Sequence, residues 1–209
     1  IPLSYDATWG NKNTSLVARY LREDDQPVDT YSLTLKSVAT TTENTITGIP
    51  FPANISDLSV FGINVFYLEQ SETFATGFVS KFDGTGKKQV WVSPLKELSS
   101  QFVNDRTVAL TTKPSPQIPG FLYLVDTTTG SVKNTLRNIP GLSTLVNSDA
   151  SQVLYLTQDD SMTLSIFTQK DRSSLVLDFA TFPEKCVWSK KDKNIIYCGV
   201  PRGGLTVDS

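Results

Sequence analysis

The 209-residue sequence has no histidine, two cysteines and one methionine. Without histidine there is no Ser-His-Asp or Cys-His catalysis and no imidazole metal site. Two cysteines alone cannot complete a four-ligand zinc site from Cys and His. Charged residues are also scarce, at 19% of the chain, below the usual quarter. The formal net charge is −2 and the pI about 5.2, so no general electrostatic affinity for nucleic acid or an anionic membrane is expected. No apolar run approaches the length of a membrane-spanning helix. Carboxylate, lysine, tyrosine and hydroxyl chemistry is what remains. Residue 1 is Ile and the sole Met is Met162, so the expectation is a processed chain or an excerpt of a longer one.

Helical periodicity is nearly missing as well. One short candidate covers Pro94–Ser100. Elsewhere, short runs of Val, Ile, Leu, Thr, Tyr and Phe alternate with Gly, Asn, Asp, Pro and Ser, the pattern of strands and turns. A local motif recurs: Val65-Phe66-Tyr67, Val153-Leu154-Tyr155 and Ile195-Ile196-Tyr197. Tyr67 and Tyr155 are 88 residues apart and Tyr155 and Tyr197 are 42 apart, while turn glycines Gly86 and Gly130 are separated by 44. A period of 40–45 residues holding four strands is that of a β-propeller blade. The expected fold is therefore all-β: a propeller of four-stranded antiparallel blades, about four and a half of them. They are placed near 9–50, 55–98, 101–140, 142–182 and, in part, 184–200. The alternative is two β-sandwich domains, which would not require the internal repeat.

Leu145–Tyr155, with its Asn-Ser-Asp-Ala-Ser turn, resembles the opening hairpin of bacterial TolB-like, WD-repeat-like propeller blades. Val187–Tyr197, with Trp188-Ser189 before the turn, is a second copy, and Leu122–Gly130 resembles the hairpin that follows. The Gly-His and Trp-Asp pairs of eukaryotic WD repeats are missing. The segment from Glu184 to Cys198 is similar to exported propeller-like proteins. The resemblance implies the fold, not an activity. Four blades and a half do not close a ring, so a portion of a larger propeller is expected.

If Cys186 pairs with Cys198 across a hairpin, Trp188 falls opposite Ile196, and Val187 meets Tyr197 on the other face. Directly opposed residues lie within disulfide reach. A disulfide implies an oxidising compartment; the alternative is two buried thiols. Trp9, Trp91 and Trp188 are expected as core aromatics between blades.

Carboxylates cluster in three places: Glu23, Asp24 and Asp25; Glu69 with Glu72; and Asp159 with Asp160. In a meander blade all three fall at the end that carries B–C loops, whereas Lys12, Lys87, Lys170, Lys190 and Lys191 fall at the other. An acidic binding face is the resulting expectation. Such pairs also suit glycoside chemistry or a hard cation such as Ca²⁺, although no calcium-loop motif is present and no cofactor or metal is expected. Asn13-Thr14-Ser15 and Asn54-Ile55-Ser56 match the glycosylation sequon. Thr40–Thr42 reads as a turn, and Lys113–Pro119 as a stiff loop between strands B and C.

The expected function is a non-catalytic, extracytoplasmic scaffold (periplasmic, secreted or at the cell surface) that binds a protein or cell-envelope component. The alternative is a carbohydrate-active enzyme or lectin, for which acids and aromatics suffice. Two carboxylates with an exposed Trp would favour the alternative; dispersed acids with all three Trp buried would favour the scaffold.

Overall fold

The computed structural model describes residues 3–21, 28–37, 44–115, 117–159 and 161–202. It contains four consecutive four-stranded sheets followed by a hairpin. Sheet 1 is β1 (Leu3–Gly10), β2 (Ser15–Leu21), β3 (Asp29–Ser37) and β4 (Asn44–Pro50). Sheet 2 is β5 (Ile55–Phe61), β6 (Asn64–Gln70), β7 (Ala75–Lys81) and β8 (Lys88–Ser93). Sheet 3 is β9 (Leu98–Asn104), β10 (Thr107–Thr112), β11 (Pro119–Asp126) and β12 (Val132–Pro140). Sheet 4 is β13 (Ser143–Val146), β14 (Gln152–Gln158), β15 (Met162–Thr168) and β16 (Ser173–Val176), and the hairpin is β17 (Cys186–Trp188) with β18 (Ile196–Cys198). Every strand pairs with its sequence neighbour, antiparallel, and no strand crosses between sheets. That is blade order, not the interleaved Greek key of an immunoglobulin-type sandwich. By contacts the chain forms two compact units: residues 1–96 with 127–130, and 97–126 with 131–209.

The turns explain the meander. Asp83 Oδ1 accepts from the Thr85 N–H and hydroxyl, Asp149 Oδ1 from those of Ser151, and Asp171 Oδ1 from those of Ser173. Asp192 and Asn104 accept the N–H two residues on in the same way. A short acceptor side chain thus mimics a backbone turn and reverses the strand. One turn departs from this economy. Asn11, Lys12 and Asn13 all have positive φ, at 47°, 54° and 64°. Left-handed conformation costs an L-residue roughly 1–2 kcal/mol, and Asn tolerates it better than Lys.

Central strands read as unbroken apolar runs because both their faces are buried. In β14, Val153 joins one cluster with Val103, Leu122, Leu142, Val146 and Phe167. Its neighbours Leu154 and Leu156 join another with Leu164 and Trp188. In the first unit, Val17, Ile55, Val65, Tyr67 and Phe82 fill the equivalent space. Outer strands such as β12, Val-Lys-Asn-Thr-Leu-Arg-Asn-Ile-Pro, bury little and hold mainly through backbone pairing.

Two sequence expectations are corrected. Pro94–Ser100 is not helical: 94–97 links two sheets and Leu98, fully buried, begins β9. The three-residue spacing of Leu95 and Leu98 imitated a helical turn. Trp9 is not a core residue; it is 51% exposed, against 8% for Trp91 and 9% for Trp188. Trp9 pairs with Leu16, one step along from the Thr8–Val17 pair. Successive residues alternate faces, so Trp9 points away from the core that Val17 enters.

A polar cleft at the loop end of the second unit

Within each unit, neighbouring sheets meet through side chains that hold the backbone of the next sheet's first strand or its turn. In the second unit Gln101 on β9 clasps Val146 on β13, its Oε1 accepting the N–H and its Nε2 donating to the C=O, both at 2.8 Å. Asn104 donates to the Ser148 carbonyl at 2.9 Å. One blade on, Trp188 Nε1 donates to the Leu145 carbonyl at 3.1 Å, and Lys193 bridges to Asp149 at 2.8 Å. These partners lie 43–45 residues apart in the chain, the same period as the repeat. In the first unit, Arg19 reaches the Ile55 carbonyl at 2.9 Å.

Lys193 and the Ser151 hydroxyl hold the Asp149 carboxyl at about 2. A depressed folded-state pKa stabilises the fold above the ordinary carboxylate value of about 4 and ceases to do so as pH falls through about 2. Both groups are well exposed, so the effect is a small one. Urea midpoints measured at pH 5 and pH 2 should differ less in Asp149→Asn than in the parent protein. An unchanged difference would remove this ion pair from the acid response.

The same stacking leaves a cleft of about 60 Å³ where β9 and β13 begin. Hydroxyls dominate its wall. Thr111 and Thr144 share a 2.6 Å hydrogen bond across it. Ser143 donates to Glu184 Oε1 at 2.6 Å, fixing that carboxylate at the rim. Pro114, in the loop between β10 and β11, and buried Leu142 complete it. The cleft therefore sits at the B–C loop end of sheet 3. Among the described residues Glu184 has no cationic partner and is exposed.

Glu184 was not singled out by the sequence: it stands alone between Pro183 and Lys185, and only the fold brings it to the hydroxyls. Of the carboxylates that were, Glu69 is ion-paired with Lys87 at 2.7 Å. The Lys87 ammonium crosses the Phe78 ring, 4.0 Å from its centroid, to get there. Lys87 thus reaches from the C–D end of sheet 2 to the strand that leads into its B–C loop. Glu72 contributes a backbone carbonyl to Lys96 Nζ at 2.9 Å. Asp159 is exposed in the β14–β15 turn. Glu23, Asp24, Asp25 and Asp160 lie outside the described residues, as does Thr40–Thr42. Cys186 and Cys198 are joined as a disulfide, with Trp188 opposite Ile196 and Val187 opposite Tyr197. Among the described residues no three His, Cys, Asp or Glu side chains gather as a metal site, and no helix is long and apolar enough to cross a membrane.

Four-stranded meander sheets stacked through their first strands define a β-propeller. Solved structures agree. The chain is similar to TolB from Acinetobacter baumannii, with a TM-score of 0.58 and 10% identity over 84% of this chain and 43% of that one. It is likewise similar to an oligogalacturonate lyase in complex with manganese, at 0.57 and 16% over 85% and 54%. A chain of a nidogen/laminin complex matches at 0.55 and 8% over 87% and 66%. The chain spans roughly half the length of the first two and less than two thirds of the third. At such identities the likeness is one of fold, and the proteins that share it include enzymes and non-enzymes alike. No protein-family model matches the sequence, and no curated protein matches it.

Proposed function

We infer that this protein is a non-catalytic, extracytoplasmic propeller scaffold that binds a protein or cell-envelope partner at the loop end of its blades. The Ser143–Glu184 cleft carries the reading. Its volume, about 60 Å³, corresponds to two waters or the tip of one side chain. A single oriented carboxylate beside hydroxyls fits a basic side chain entering from a partner, with a charge-assisted hydrogen bond as the anchor. Glycoside hydrolysis would ask for a second carboxylate at a defined separation, and among the described residues Glu184 is the only acid lining the cleft. The disulfide supports an oxidising compartment, and the nidogen/laminin structure supplies an example of a similar chain in a protein complex. The exposed Trp9 stands in favour of the alternative.

The test is charge reversal. Glu184→Lys should weaken retention of partners from the envelope fraction of the producing organism at least tenfold, with reduced salt dependence. Lys190→Glu with Lys191→Glu, at the opposite end of the blades, should leave retention unchanged. Equal losses in both variants, or cleavage of a polysaccharide panel by the parent protein, would overturn the reading.

A further inference from the structure

The first unit contains a larger cleft, of about 310 Å³, that plays no part in the scaffold reading. One wall is a row of hydroxyls. Ser15 on β2 is in register with Thr34 on β3, and Thr34 with Thr47 on β4. All three line the cleft; Thr34 and Thr47 present their hydroxyls on adjacent strands, about 5 Å apart, while Ser15, 1% exposed, lies behind them. Further along the same face of β3, Ser32 is 1% exposed and its hydroxyl has no partner among the described residues. The polar stripe therefore continues inward beyond what the protein itself satisfies.

The opposite wall is of different character. Ile63, 51% exposed, offers an apolar surface backed by the buried ring of Phe82. Lys81 and Asp83 stand beside them, one charge of each sign. At the rim is Asn11, first residue of the left-handed turn, whose Nδ2 donates to the Ser15 hydroxyl at 3.3 Å. Strained backbone that borders a cleft is a common mark of a working site. Here the left-handed turn sets the amide of Asn11 beside the Ser15 hydroxyl.

We propose that this cleft binds a neutral pyranose, as a free sugar or as the end of a glycan. A pyranose has an apolar C–H face and a ring of hydroxyls that both donate and accept. The cleft offers both, with Ile63 backed by Phe82 on one side and Thr34, Thr47 and Asn11 on the other. Balanced Lys81 and Asp83 favour a neutral ligand over a sugar acid. The volume is at the lower end of ligand pockets, suited to a single ring. The site is independent of the Glu184 cleft, and either can fail without the other.

Saturation-transfer NMR with the methyl glycosides of glucose, galactose and mannose, and with N-acetylglucosamine, tests it. At least one should bind with a low-millimolar Kd. Thr34→Val, which keeps shape and strand propensity, should weaken that binding at least fivefold, as should Lys81→Met. Thr111→Val, in the other unit, should not. Retained circular dichroism and thermal midpoint in Thr34→Val exclude a folding defect. Lack of transfer to all four probes would overturn the proposal. So would unchanged binding in both Thr34→Val and Lys81→Met, or tenfold tighter binding of glucuronate, which would make the site an anion site at Lys81.

Discussion

Replacing Cys186 and Cys198 by serine should lower the stability of the segment that carries them by about 3 kcal/mol, the value expected for closing a loop of this size. The two cysteines are 12 residues apart. Lys185 accepts the Gly199 N–H, and Ile195 accepts the Ser189 N–H. Hydrogen-bonded pairs alternate along an antiparallel ladder, so Val187 and Tyr197 form one and Cys186 and Cys198 a non-hydrogen-bonded pair. At such pairs the chains approach most closely, and the Cα atoms stand 4.1 Å apart. The hairpin has three residues per strand and is marginal on its own. The disulfide and the packing of Trp188 against Leu154, Leu156 and Leu164 are what hold it. In the double-serine variant, amide exchange over Val187–Gly199 should accelerate more than tenfold, while β14 and β15 keep their protection. Uniform exchange in the parent and the variant would show that the bond does no structural work. Two titratable thiols in unreduced, denatured protein would remove the bond and, with it, the support for an oxidising compartment.

Register made that bond legible in the sequence, since pairing the two cysteines also sets Trp188 opposite Ile196 on the same face, and a slip of one residue would separate the cysteines. The repeat was legible for a related reason. Central strands buried on both sides, such as Val65–Leu68 and Val153–Leu156, stand out as apolar runs at a fixed interval. Outer strands are harder to see: β4, Asn-Thr-Ile-Thr-Gly-Ile-Pro, is exposed where its side chains are described and carries little pattern. Trp9 shows a second limit. Its place at the end of a first strand matched that of Trp188, but position in a strand does not say whether another sheet covers that face. The residues of the candidate cleft were the least visible. Ser143 and Thr144 open β13 while Glu184 stands in a link 41 residues beyond Ser143, and nothing local distinguishes them from other serines, threonines and acids. The acidic runs that were visible drew attention by adjacency in sequence. Of these, Glu69 is ion-paired with Lys87, and Glu72 meets Lys96 through its backbone carbonyl.

Gly141→Ala should be the most damaging single-methyl change in the second unit, at roughly 2–5 kcal/mol. Gly141 joins β12 to β13 with φ +58°. Part of the cost is that conformation, about 1–2 kcal/mol for an L-residue. The remainder is space: an added Cβ would lie 2.4 Å from Gln158 Cβ, 3.0 Å from its N and 3.1 Å from its Cα. Two of those atoms are backbone within the sheet, so the link must move rather than a side chain, and overpacking of that kind costs about 1–3 kcal/mol. Gly62 supplies the control. It has the same φ, +58°, but an added Cβ there meets nothing within 4 Å. Gly62→Ala should therefore show the conformational cost alone, and the difference between the two urea-unfolding shifts isolates the contact. The link also carries Leu142 and Ser143 into the polar cleft. Gly141→Ala should consequently disturb the Ser143–Glu184 hydrogen bond and weaken partner retention, whereas Gly62→Ala should not. Equal destabilisation by the two substitutions would mean that the chain around Gln158 yields freely, and that the cleft is less firmly built than its close contacts imply.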